Sequence, residues 1–311
     1  MKSLLSVLGP TQTNPMNPLS ATVARRASLW NFARADLQAA YINQTPTLLD
    51  TEDISMWLSC GLQVSNTGTL YIDPDGLKSD PGHLCATVEL VAHTLLWILL
   101  RTMNYINTPT LAPDARQALW SQLTSQLDLW YSCLPAVFQP CAQLRHPVSR
   151  RQPANKNTAG SGISELFFSI PLCAATIQLY HFARILLLHH SPTTPSTSTS
   201  RLQAYREVSS QALRHAYEIV GIALARPHPA VRVESLLPLF VAGACLESDD
   251  ERRVVVEVLR AIELDTGCST DGRVRELVKE WGWEGGVGSL LGQQEAWTAG
   301  GSGNVMIGTM A

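Results

Sequence analysis

The chain has 311 residues, of which 45% are hydrophobic and 16% charged, with a formal net charge of −3. That is ample apolar material for a core, and the charge balance excludes a protein that grips nucleic acid through a general basic surface. Collagen, coiled-coil, wholly disordered and secreted disulfide compositions are excluded as well.

Residues 1–21 carry Pro10, Pro15 and Pro18 among Ser, Thr and Asn, and read as a flexible tail. Its start has one lysine and a very short apolar run, which is not the pattern of a signal peptide. Over residues 22–44, Ala27, Trp30, Ala33, Leu37 and Tyr41 recur at three- and four-residue steps, the period of one helix face, until Pro46 stops the helix. Asp50 is placed to cap a short turn over 54–58, and the Gly-, Asp- and Pro-rich stretch 66–81 reads as loop.

Residues 88–105 are apolar nearly all round, which predicts a helix at the centre of a bundle. The apolar run 88–100 contains Glu89 and His93 and is too short to cross a bilayer. Pro113 and Asp114 open an amphipathic helix with the seam Leu119, Trp120, Leu123, Leu127, Trp130, Tyr131 and Leu134, ended by Pro135. Residues 145–162 are polar and basic and predict a disordered insert; 163–190 predict one long apolar helix kinked near Pro171.

A low-complexity linker, 191–200, precedes a helix marked by Leu202, Tyr205, Val208, Ala212, Ala216, Ile219 and Ala223. Arg226 to Pro229 make its turn, and Leu236, Leu237, Phe240, Val241, Ala244 and Cys245 mark the next helix. Ser248 and Glu251 have capping-box spacing before an apolar helix, and Gly267 suits its far end as a left-handed cap. A last helix, 271–281, turns Val274, Leu277, Val278 and Trp281 to one side, and 284–311 form a flexible Gly-rich tail. The expected fold class is all-α, a multi-helix bundle forming a single domain over 22–283.

The seven cysteines, at 60, 85, 133, 141, 173, 245 and 268, are odd in number and contain no CxxC. Buried free thiols in a reducing compartment are the expected state, and with them a soluble intracellular protein. A Mg²⁺-dependent enzyme of the terpene-cyclase kind would need an Asp-rich helix end, for which Asp249, Asp250 and Glu251 are the candidates. The carboxylate required further along is missing, since Arg253 and Val254 follow, so helix capping is the better role. His181, His189 and His190 read as the polar ends of an apolar helix, the first two standing too far apart for one metal. His228 reads as a turn residue, and Trp281 and Trp283 as helix-end packing.

GGVG near residue 285 lacks the strand and lysine of a phosphate loop, there is no GxSxG, and Arg25-Arg26 and Arg150-Arg151 are weak basic pairs. No residue is assigned to catalysis or to a metal, and none can be named for a cofactor.

The order of residues carries more. Arg25, Arg26, Trp30, Phe32 and Asp36, closed by Asn43, Gln44, Pro46 and Leu49, resemble a helix of the regulatory region of fungal Zn₂Cys₆ transcription factors. Residues 129–140, 180–192, 221–231 and 274–283 resemble later segments of that region in the same order. The resemblance implies a nuclear, non-catalytic regulatory domain that controls transcription by RNA polymerase II through protein partners or a small effector. The family's six-cysteine zinc cluster maps onto none of the seven cysteines, so zinc binding and base recognition are carried to no residue, and no cofactor or membrane contact is expected. Contact with DNA would need that cluster or a partner. A helical-repeat scaffold would show a fixed period of roughly 30 to 45 residues, which these helix spacings lack.

Overall fold

A computed structural model of the chain describes residues 18–62, 81–146, 162–192 and 198–283. The expected N-terminal tail up to residue 17, the loop 63–80, most of the insert (147–161), the linker 193–197 and the C-terminal tail from 284 lie outside the described residues. Those described form ten α-helices and one hairpin. In chain order they are α1 (Pro18–Asn43), α2 (Ile54–Ser59), α3 (Pro81–Ile106), α4 (Pro113–Ser132), β1 (Ala142–Arg145), β2 (Ser164–Phe167), α5 (Pro171–His189), α6 (Ser198–Leu224), α7 (Pro229–Glu234), α8 (Leu236–Cys245), α9 (Asp249–Thr266) and α10 (Asp271–Glu280).

Helix α5 is the hub, packed against α3, α4, α6, α7 and α8. Thirteen of its nineteen residues are buried, among them Cys173, Ile177, Tyr180, Phe182, Ile185 and Leu186, so it has almost no face for water. Its start differs from the sequence expectation. Pro171 does not kink a longer helix but opens this one, because Ile170 before it is held extended (φ −117°, ψ 122°) and proline needs no N–H there. The polar atoms on α5 are paired inside: Gln178 Nε2 donates to the Ile219 carbonyl at 3.0 Å, and Ser235 Oγ donates to Gln178 Oε1 at 2.6 Å. Helix α3, the other mostly buried helix, runs well beyond its 88–105 core. Both α3 and α5 are long and apolar enough to cross a bilayer, but neighbouring helices cover most of each.

The hairpin is the one departure from an all-helical chain among the described residues. β1 and β2 pair antiparallel, with Ala142 opposite Phe167 and Arg145 opposite Ser164. Four-residue strands are too short for alternation to show in the sequence. β2 lies on α6 at Gly221, where an added Cβ would fall well inside contact distance of the Ser164 carbonyl oxygen.

At the other end, the 45–52 turn is tied down by side chains from α1 and α3. Asp36, buried on α1, accepts from the Leu48 and Leu49 amides at 2.9 Å each. Asn104 accepts from the Thr47 amide, and the indoles of Trp57 and Trp97 donate to the carbonyls of Asp50 and Thr51. This wiring gives Asp36 and Leu49 a structural purpose: they help close one end of the α1–α3 pair.

Several local expectations are corrected. Asp53, not Asp50, caps α2, its side chain accepting from the Met56 amide; Asp50 accepts from Glu52 N one turn earlier. The Ser248–Glu251 capping box does not form: Ser248 makes no side-chain cap, and Glu251 turns inward to accept from Tyr217 Oη at 3.1 Å. Gly267 does end α9 in the left-handed region, at φ +74°. The unexpected short helix α7 begins at Pro229, with Arg232 reaching Asp265 on α9.

Gly221→Ala tests the close approach of hairpin and helix. Alanine gains about 1 kcal/mol in an exposed helix, but here it must push backbone aside, a cost of about 2–3 kcal/mol. The net expectation is a lower denaturant midpoint; an unchanged or raised midpoint would show that the hairpin does not press on α6.

Candidate functional site

Two clefts beside α5 collect polar side chains. The larger has a volume of about 900 Å³ and opens where the C-terminal ends of α1, α3 and α5 meet α8 and α10. Its apolar wall comes from Ile42, Met103, Ile106, Leu186, Phe240 and Val241. Its polar groups are Tyr41, Gln44, Asn107, His189, His190, Arg273, Glu276 and Glu280.

Their states follow from their surroundings. Burial pushes the Tyr41 phenol up to about 12, with Arg273 opposing and Glu276 and Glu280 assisting, so it stays protonated. Burial holds His189 below its ordinary range, helped by His190 beside it. His190 donates from Nδ1 to the Leu186 carbonyl at 2.8 Å, and its own carbonyl accepts from Tyr105 Oη at 2.7 Å. The Arg273 guanidinium lies over the Phe240 ring, 5.8 Å from its centroid. Among the described residues it makes neither a hydrogen bond nor an ion pair, and burial lowers its pKa against the pull of Tyr41 and Glu276. Glu276 and Glu280 are exposed on the same helix, at the rim.

The smaller cleft, about 450 Å³, lies between α4, α5, α6 and the segment before β1. His181 and His215 face each other across it with Nδ1 atoms 2.8 Å apart, so one ring donates and the other accepts. Desolvation holds His181 well below its ordinary value and His215 at about 4, and Arg184 adds repulsion to both. Arg184 itself pairs with Asp128 at 2.5 Å, and Glu218, in the same cleft, has a carboxyl raised by burial. Tyr131, which lines the cleft, stacks on Tyr180 at a centroid distance of 4.6 Å, and Tyr180 stacks in turn on Trp130 at 5.6 Å.

The residues weighed from sequence fall as follows. His189 and His190 do sit at the end of α5, but His181 is buried mid-helix against His215. His215 went unnoticed from sequence; its signal was a polar residue on the Ala212–Ala216–Ile219 face of α6. His228 is the turn residue before α7, and its Nδ1 accepts from the Ala230 amide to cap that helix. Asp249 and Asp250 pair with Arg252 and Arg253, and with Glu251 held by Tyr217 none of the three lines either cleft. Trp281 donates to the Gly243 carbonyl and packs on Trp283, with Arg252 and Arg253 over the two rings.

All seven cysteines are free, but only Cys173 is buried; Cys85 and Cys141 are exposed. Burial drives the thiols of Cys173 and Cys245 up to about 12, away from nucleophilic use. Arg25 and Arg26 are exposed on α1, whereas Arg150-Arg151 and the glycines near 285 lie outside the described residues.

Residues 109–281, more than half of the chain, match the family described as the fungal specific transcription factor domain. The chain is also similar to the transcription activator AMTR1 of Alternaria alternata, at 34% identity over 293 residues, covering 88% of this chain and 38% of that protein. It thus spans well under half the length of that relative. No solved structure matches it.

The histidine pair makes a prediction about pH. Both folded-state pKa values lie below the ordinary 6.5, so the unfolded chain binds protons that the folded pair refuses. Stability is therefore fully present above about pH 6.5 and falls as pH drops toward 4, by at most about 1.4 kcal/mol per pH unit for each histidine. In denaturant titrations across that range His215→Asn gives a shallower loss than the unmodified protein, and identical slopes would contradict the assignment.

Proposed function

This chain belongs to the family of the fungal specific transcription factor domain, and from that premise we propose that it is a regulatory domain controlling transcription by RNA polymerase II in the nucleus. It acts by binding, without catalysis: its partners are other transcription proteins or a small effector. Any contact with DNA is made through a zinc-cluster domain of the family's kind or through a partner, and no cofactor is assigned to the described residues.

The observation that carries this reading is the family match itself, which runs from before α4 through α10 and takes in three walls of the larger cleft, α5, α8 and α10. The similarity to a transcription activator points the same way. The site chemistry supports binding over turnover. The larger cleft offers an aliphatic and aromatic wall, a protonated phenol and one cation, a set suited to holding a ligand and without an activated nucleophile. No observation favours the Mg²⁺-dependent alternative, because the acids it would need are spent on arginines and on Tyr217.

Tethering tests the proposal. The whole chain is fused to an unrelated DNA-binding module and scored on a reporter gene carrying that module's site. At matched protein level the fusion changes reporter output relative to the module alone. Equal output would contradict a regulatory role.

A further inference from the structure

We propose that the larger cleft is a binding site for an amphipathic monoanion, an apolar body bearing one carboxylate or equivalent group, with Arg273 as its anchor. The inference rests on the regulatory reading above only in calling such a molecule an effector; the binding itself can be tested apart from transcription.

Size comes first. About 900 Å³ falls at the upper end of the range that holds small organic ligands, and the wall of Met103, Ile106, Leu186 and Phe240 would bury an apolar body. Charge then selects the head group. Arg273 is half-buried, has no hydrogen-bonding or ion-pair partner among the described residues, and lies on the cleft wall over Phe240. A guanidinium in that setting gains most from an anion that can take two parallel N–H donors. The Tyr41 hydroxyl, kept protonated, lies close enough to feel Arg273 and provides a second donor.

The rim sets a limit on charge. Glu276 and Glu280 stand one and two turns along α10 from Arg273, so a polyanion such as a nucleotide or a phosphoinositide headgroup meets repulsion that a single negative charge on an apolar body does not. Burial holds His189 below its ordinary range and so favours its neutral form, which adds no positive charge against these two carboxylates.

The test uses two fluorescent probes of nearly the same shape, titrated into the full chain. The anionic one is 8-anilinonaphthalene-1-sulfonate and the neutral one is N-phenyl-1-naphthylamine. The proposal expects saturable binding of the sulfonate, weakened about tenfold or more by Arg273→Gln, the usual worth of a charge-assisted contact. The neutral probe should lose no more than a small part of that, and decanoate should displace the sulfonate. Glu276→Gln with Glu280→Gln, both at exposed positions, should tighten sulfonate binding.

Absence of saturable binding would overturn the proposal, as would equal losses for the two probes in Arg273→Gln. Should that variant fail to fold, the double glutamine variant decides: tighter sulfonate binding upholds the site, and unchanged or weaker binding overturns it. A reporter fusion that is silent while the sulfonate still binds would sink the transcriptional reading and leave the site standing.

Discussion

Helix α5 has almost no face to show to water, and that constraint organises the rest of the molecule. A helix carrying Cys173, Ile177, Tyr180, Phe182, Ile185 and Leu186 in all directions has to be enclosed, and α3, α4, α6, α7 and α8 do the enclosing. Each fully buried side chain of that size is worth roughly 1.5–3 kcal/mol in transfer free energy, so the assembly is paid for chiefly around this one axis. The few polar groups on α5 are consequently restricted to places where a partner exists: Gln178 between the Ile219 carbonyl and Ser235, His181 against His215.

The two clefts are the gaps in that enclosure. The smaller one opens where Ile177, His181 and Arg184 face α4 and α6; the larger opens at the C-terminal end, around Leu186, His189 and His190. A ligand in the larger cleft would touch α5 directly, and it would bridge helices that lie inside the family match, α8 and α10, to α1 and α3, which lie before it. Under the proposal made above, a ligand in that gap would contact both the N-terminal helices and the family-matched body, the kind of differential contact that regulation by a small molecule requires.

Much of the helical plan was legible in the sequence, for a definite reason. Helices α3, α4, α6, α8, α9 and α10 carry strong three-to-four periodicity or near-continuous apolar runs, and Pro113 and Gly267 mark ends through backbone geometry alone. The failures share a different cause. The hairpin's strands are too short to alternate visibly, and its placement depends on Gly221, far away in the chain. Glu251 sits at capping-box spacing but finds Tyr217 instead, a tertiary contact that local rules do not see. The larger cleft draws its walls from five helices spread from Tyr41 to Glu280, so nothing local in the sequence marks Arg273, which the fold places beside Phe240 and Tyr41. Family resemblance was carried by residues such as Asp36 and Leu49, whose roles are structural and which lie outside both clefts.

Amide hydrogen exchange of the native protein tests the central place of α5 most directly. If this helix is the enclosed axis, the amides from Ile177 to Leu187 exchange most slowly in the molecule, with opening free energies equal to that of global unfolding. The outer helices α2 and α10 then exchange through smaller, local openings. Exchange along α5 as fast as along α10 would contradict the account, because a helix that opens on its own cannot be the element around which the others, and the clefts between them, are built.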